Sequence, residues 1–133
     1  MNYHQTQIRV RYSETDQMRV VYHGNYAQYF EIGRVEWLRN KGISYKWMEE
    51  NGIMLPVVSL TMNYKKSARY DELLTLKTFL KKMSTVKIEF DYELYNESGE
   101  LLTTGNSILV FVDMKTGKPM SPPKYISAIL DRV

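Results

Sequence analysis

Glu14 and Asp16 stand two residues apart in the polar stretch Ser13-Glu14-Thr15-Asp16-Gln17, and His23 follows just before an apolar helical pattern begins at Tyr26. A carboxylate can serve as base or as nucleophile in acyl transfer. The first turn of a helix offers backbone N–H groups with no intrahelical partner, and these attract anions. The same groups can polarise a carbonyl and stabilise an oxyanion. An acid beside such a donor cluster therefore suits acyl-transfer chemistry. A plainer reading also fits: Glu14 and Asp16 as solvated or capping loop residues, and His23 as a loop histidine. Residue types and spacing alone leave both open.

Other chemistries are excluded more firmly. The chain has no cysteine, which removes a Cys nucleophile, disulfides and thiolate zinc sites. Its two histidines, His4 and His23, are too few for a three-His metal centre, so no metal and no redox cofactor is expected. Eighteen Lys and Arg against 15 Asp and Glu leave a net charge of +3. That balance suits a small polyanionic ligand. It does not call for nucleic acid, because no basic-aromatic motif accompanies it. The apolar run Ile108-Leu109-Val110-Phe111-Val112 falls far short of the ~20 residues a membrane span needs. Met1-Asn2-Tyr3-His4-Gln5 carries no apolar signal core, so a cytoplasmic protein is expected. A chain of 133 residues is expected to form one domain over 1–133.

The positioning elements follow from hydrophobic period. Ile8, Val10 and Tyr12 alternate with polar neighbours, as in a strand. Tyr26, Phe30, Gly33 and Trp37 recur along one helical face, and Ile32, Val35 and Leu38 widen it. This predicts a helix over residues 26–41, capped by Asn25 and ended by Gly42, that is buried on most sides. Ser44 predicts a short second helix through Glu50. Period-two segments follow around Val58–Tyr64, Leu74–Leu80 and Val86–Leu94. Asn96-Glu97-Ser98-Gly99-Glu100 reads as a hairpin turn. A last strand is expected over 101–112, with Gly105 as a bulge, and a final helical turn from Pro122-Pro123 through Leu130. Short turns between such strands imply antiparallel pairing. The fold class expected is α+β, an antiparallel sheet wrapped around one long central helix.

The run from Arg11 to Tyr26, with Phe30-Glu31 and Arg34, resembles the signature of the 4-hydroxybenzoyl-CoA thioesterase-like acyl-CoA thioesterases, which are hotdog-fold proteins. Tyr64 and Ala68-Arg69-Tyr70-Asp71-Glu72-Leu73 form a second stretch similar to that family. The resemblance spans about residues 7 to 113. It implies hydrolysis of an acyl-CoA thioester to a free carboxylate and coenzyme A. Carried over by position, it makes Asp16 the catalytic carboxylate, as base or as nucleophile. Glu14 becomes a positioning or structural residue. The polarising N–H falls in the region of Tyr22 and His23, with His23 in a supporting role, and Glu31 and Arg34 can pair on one helical face.

The phosphates of coenzyme A would be met by cations drawn from Lys65, Lys66, Arg69, Lys81, Lys82 and Lys87. Arg19 stands where many relatives carry Gly, and Ser67 where they often carry Pro. Arg19 is a further substrate-binding candidate, and its presence predicts an ordinary negative φ in the turn after Asp16. The resemblance also implies a homodimer or homotetramer, with sheets joined edge to edge and the site between subunits. An unpaired sheet edge is a liability in any case. An alternative on the same fold is a non-catalytic protein that binds acyl-CoA or an acyl carrier protein.

Overall fold

The computed structural model describes residues 3–131. In chain order the elements are β1 (Tyr3–Arg9), α1 (Tyr26–Asn40), α2 (Tyr45–Glu50), β2 (Ile53–Met54), β3 (Val57–Tyr64), β4 (Leu73–Met83), β5 (Lys87–Tyr95), β6 (Leu101–Val110), β7 (Val112–Asp113) and α3 (Lys124–Leu130). Five strands form one antiparallel sheet in the order β1-β4-β5-β6-β3, and β2 pairs with β7. The β5–β6 connection is the expected turn through Asn96 and Gly99, whose backbone bonds close it.

Alternation sets which sheet face meets the helix. Along β5, Ile88, Phe90, Tyr92 and Leu94 are buried while Lys87, Glu89, Asp91 and Glu93 point away. Phe30 of α1 stacks on Tyr92 at 4.4 Å between ring centroids, and Trp37 meets Phe90 edge-on at 5.4 Å. Such pairs contribute about 0.5–1.5 kcal/mol beyond the area they bury. The close approach requires two glycines. A Cβ on Gly33 would lie 2.6 Å from Leu76 Cδ2, and one on Gly105 2.8 Å from Phe30 Cζ. Gly105 is therefore not the expected bulge. It pairs in register with Met62 and Tyr92, and the register shifts fall at Val57/Ser59, Leu80/Lys82 and Leu94/Tyr95.

Several local expectations are corrected. Asn25 does not cap α1 with its side chain. The chain enters the helix through a 3-10 turn, His23–Asn25, and the Asn25 amide reaches back to the Glu14 carbonyl. Ser44 does cap α2, its hydroxyl accepting from Trp47 N. The last long strand ends at Val110, and Val112 starts the separate β7. Helix α1 is buried on the Tyr26, Phe30, Gly33 and Trp37 face, but Ile32 on the other side is 41% exposed. Arg34 does not pair with Glu31 among the described residues. It is buried, and although that burial opposes its charge, the phenols of Tyr92 and Tyr45 outweigh it and hold the guanidinium firmly protonated.

The two sheet edges differ. β1 presents Gln5, Gln7 and Arg9 to solvent. β3 presents Val57, Val58, Leu60 and Tyr64, with Val58 57% exposed. No helix among the described residues is long and apolar enough to cross a membrane.

Candidate active site

The loop between β1 and α1 is held by its own backbone. After a 3-10 turn at Tyr12–Glu14, the chain folds into a tight hairpin in which Thr15 bridges Val21. Asp16 N donates to Val20 O at 3.0 Å and Arg19 N to Asp16 O at 3.0 Å. Asp16 Oδ1 accepts from Met18 N at 2.8 Å, an Asx turn that fixes this carboxylate at the tip. Asp16 itself is exposed.

Arg19 sits at φ 63, not at the negative φ expected of it. The hairpin tip needs a left-handed residue before the chain can return along Val20. Neighbouring chain holds Arg19 there: Val20 bridges Arg69, and Tyr70 N donates to Arg19 O at 3.4 Å. The strained conformation costs on the order of 1 kcal/mol for a residue with a Cβ.

The helix start divides the amides. Tyr22 N donates to Glu14 O at 3.0 Å, so this N–H is already engaged and does not face a ligand. Asn25 N is bonded to Tyr22 O and Tyr26 N to His23 O. Among the described residues, the amides of His23 and Gly24 donate to no protein acceptor. Of the Tyr22–His23 region, the amides left without a protein acceptor are thus His23 and its neighbour Gly24, not Tyr22.

Glu14 is buried, which sequence reasoning did not foresee. Its Oε1 accepts from Arg11 N at 2.8 Å and from the Tyr29 hydroxyl at 2.9 Å, and its Oε2 accepts from Arg11 Nε and Nη2, both at 3.1 Å. Burial, and then the neighbouring Glu14 carboxylate, push the Tyr29 phenol well above its ordinary pKa, so it stays a donor.

Asp16, His23, Tyr26, Tyr64, Lys65 and Lys66 line one open cleft of about 370 Å³. Tyr64 lies 5.3 Å from Tyr26 between ring centroids and 6.3 Å, edge-on, from His23. The Tyr26 hydroxyl accepts from Ala68 N at 3.2 Å, and burial raises its pKa. Lys66 and Ser67 continue into a polar recess with Arg69, Glu72, Asn96 and Glu100. There Lys66 pairs with Glu100, whose carboxyl is held below its usual pKa by that bond. No ion pair joins Arg69 and Asp71 among the described residues; Glu72 instead accepts from Arg69 N at 2.7 Å.

Lys81, Lys82 and Lys87 are placed elsewhere. They flank the far end of the β4–β5 hairpin, about 30 Å along the strand from Leu73 at 3.3 Å per residue. Lys81 faces Glu89 at 3.6 Å. Within one protomer they do not approach Asp16. Tyr26 and Tyr64 join the site as walls, which strand and helix periodicity alone did not reveal.

The comparisons with known proteins identify the family to which this cleft belongs. The profile of the thioesterase-like superfamily matches residues 10–130. The chain belongs to that superfamily. YneP of Bacillus subtilis (strain 168) is 37% identical over 90% of this chain and 87% of its own length. The acyl-CoA thioester hydrolase YbgC of Escherichia coli O6:H1 is 31% identical over 91% of this chain and 90% of its own. The solved structure of a DHNA-CoA thioesterase from Staphylococcus aureus superposes with a TM-score of 0.93 at 43% identity, covering 98% of this chain and 88% of that one. The architecture is the hotdog fold, and the protein is a thioester hydrolase of the acyl-CoA thioesterase type. In this thioesterase the expected helix-then-meander order and the Arg11–Tyr26 signature lead to the same place.

Proposed function

We propose that Asp16 carries the hydrolysis of an acyl-CoA, with the thioester carbonyl oxygen held by the amides of His23 and Gly24. The carrying observation is that Asp16 and His23 line one cleft while their neighbour Tyr22 has its amide engaged elsewhere. Donors aimed at an oxyanion are worth about 10²–10³ in rate each. With Oδ1 tied to Met18 N, the other Asp16 oxygen acts on the carbonyl carbon. It either takes a proton from an attacking water or attacks directly to give a mixed anhydride that water then opens. Both routes break the C–S bond, deliver the acyl group as a carboxylate and leave coenzyme A as the free thiol. Tyr22 contributes through its hydrogen bond to Glu14, and the His23 ring supports the cleft beside Tyr64.

The phosphates of coenzyme A are assigned to Lys65, Lys66 and Arg69, which lie on the cleft and the recess beside it. The Arg19 guanidinium is exposed on the turn that carries Asp16, and we assign it to solvent and not to substrate. The acyl group assigned is aromatic. The rings of His23, Tyr26 and Tyr64 stand in the cleft wall beside Val20 and Val21 and suit a planar group, and the Staphylococcus aureus relative is named for DHNA-CoA.

A homodimer joined along β3 completes the reading. Its exposed apolar residues and unpaired edge fit self-association. Antiparallel pairing of two β3 strands sets the Val57 end of one beside the Tyr64 end of the other, next to the cleft, and so covers a site that stands open in one protomer. Residues 1–133 act as one domain, and a coenzyme A thioester substrate fits a cytoplasmic location.

The test is release of free thiol from a panel of aromatic and aliphatic acyl-CoAs by the purified protein. The reading expects turnover that is highest on aromatic acyl groups. No turnover on any member of the panel would contradict it, and preference for long aliphatic chains would overturn the aromatic assignment.

A further inference from the structure

A single residue grips the chain on both sides of the two unengaged amides. The Glu14 carbonyl accepts from Tyr22 N at 3.0 Å and from Asn25 Nδ2 at 2.8 Å. Tyr22 directly precedes His23, and Asn25 directly follows Gly24. The Glu14 side chain is in turn fixed by four bonds, three from Arg11 just past the end of β1 and one from Tyr29 within α1. Arg11, Glu14, Tyr29 and the helix entry therefore form one connected network. Its output is the direction in which the His23 and Gly24 amides point. Glu14 also lies two residues before Asp16, so the same anchor ties the carboxylate tip to the amide pair.

Stability alone gives this arrangement little reason. Burying a carboxylate is costly unless it is fully hydrogen-bonded, and a well-packed apolar group in its place is often neutral or better. A rigid, fully satisfied network does gain orientation, and in acyl transfer a small misplacement of donors lowers rate steeply.

We propose that Glu14 and Tyr29 are a positioning pair for the reaction: the Tyr29 hydroxyl locks the Glu14 carboxylate so that the Glu14 carbonyl holds the His23 and Gly24 amides on the thioester oxygen. Neither residue touches the substrate. This rests on the reading of Asp16 and those amides given above.

The experiment compares Tyr29→Phe, Glu14→Gln and Asp16→Asn with the parent protein. Each is assayed for kcat and KM on its best acyl-CoA and for thermal melting. Binding is also measured for a thioether analogue of that substrate, which keeps the chain and nucleotide but has no carbonyl. Tyr29→Phe is expected to lower kcat about tenfold, and Glu14→Gln more, up to about 100-fold. KM and thioether affinity should stay within about twofold. A purely structural role would not spare KM and analogue binding while lowering kcat. Tyr29→Phe only deletes one hydroxyl, so it decides the question if Glu14→Gln fails to fold. Folded Tyr29→Phe protein with unchanged kcat, or with KM and thioether binding weakened as much as kcat falls, would overturn the proposal. If those variants behave normally while Asp16→Asn is inactive, the positioning pair alone is wrong. If Asp16→Asn is fully active, the underlying catalytic reading is the one that fails.

Discussion

The Tyr22 amide donates to the Glu14 carbonyl at 3.0 Å, so the carbonyl-polarising role proposed above falls to the amides that follow it, those of His23 and Gly24. A backbone donor does not depend on the side chain that carries it. His23→Ala should therefore keep turnover within about tenfold of the parent, a barrier change of roughly 1.4 kcal/mol. The ring contacts with Tyr22 and Tyr64 would be lost, with modest effect on the melt. Steady-state kinetics of the variant checks this. A loss approaching that of an Asp16 variant would show that the imidazole itself moves a proton.

Charge placement separates two groups of cations. Lys66 and Arg69 share the recess beside the cleft, whereas Lys81 and Lys82 sit at the far end of β4. Neutralising Lys66 and Arg69 should raise KM for acyl-CoA more than it lowers kcat, because contacts remote from the reacting bond stabilise ground and transition states alike. Neutralising Lys81 and Lys82 should leave both constants unchanged. An acyl-pantetheine, lacking the nucleotide, should be insensitive to either change. Equal damage to acyl-pantetheine turnover would refute the phosphate assignment.

The architecture was largely legible because its periods are strong. The alternation from Ile88 to Leu94 fixes which face of β5 is inside, and Tyr26, Phe30, Gly33 and Trp37 fix the inner face of α1. The Asp16 loop was legible from its acids and from the signature around them. What escaped was long-range or conformational. The burial of Glu14 escaped, since nothing local announces a hydroxyl from Tyr29, fifteen residues on, as its partner. Gly105 looked like a bulge, since only the packed ring of Phe30 shows why a side chain is excluded. The Arg19 backbone was misjudged because side-chain identity is a weak guide to φ where flanking chain dictates the turn.

That left-handed Arg19 gives a stability prediction. Arg19→Gly removes a conformational cost of on the order of 1 kcal/mol, and the larger freedom of Gly in the unfolded chain offsets about as much. The melting temperature should stay the same or rise slightly, and turnover should stay within about tenfold. A fall of many degrees would show that the Arg19 side chain holds the turn together.

Alkaline stability should depend on Tyr95. Its hydroxyl donates to Glu93 Oε1 at 2.6 Å, and that bond, with lesser help from burial, pushes its pKa up to about 12. In the unfolded chain the phenol loses its proton near pH ~10. The folded state thus holds one proton more across that interval, so stability is fully present below about pH 10 and declines as pH rises toward 12. Tyr26, Tyr29, Tyr45 and Tyr92, all raised by burial, act in the same direction. Denaturant melts between pH 9 and pH 12 should show a shallower decline for Tyr95→Phe than for the parent. Identical slopes would mean that the Glu93 bond does not persist in solution.

Whether the Asp16 carboxylate drives thioester hydrolysis is read from kcat of Asp16→Asn on the best acyl-CoA substrate. Asn keeps the side chain's shape and can still accept from Met18 N through its carbonyl oxygen, so the hairpin should remain folded, as a melting curve would show. A fall in kcat of ~10²-fold or more is expected, the scale of losing a positioned base or nucleophile. A folded Asp16→Asn protein turning over at the parental rate would contradict it.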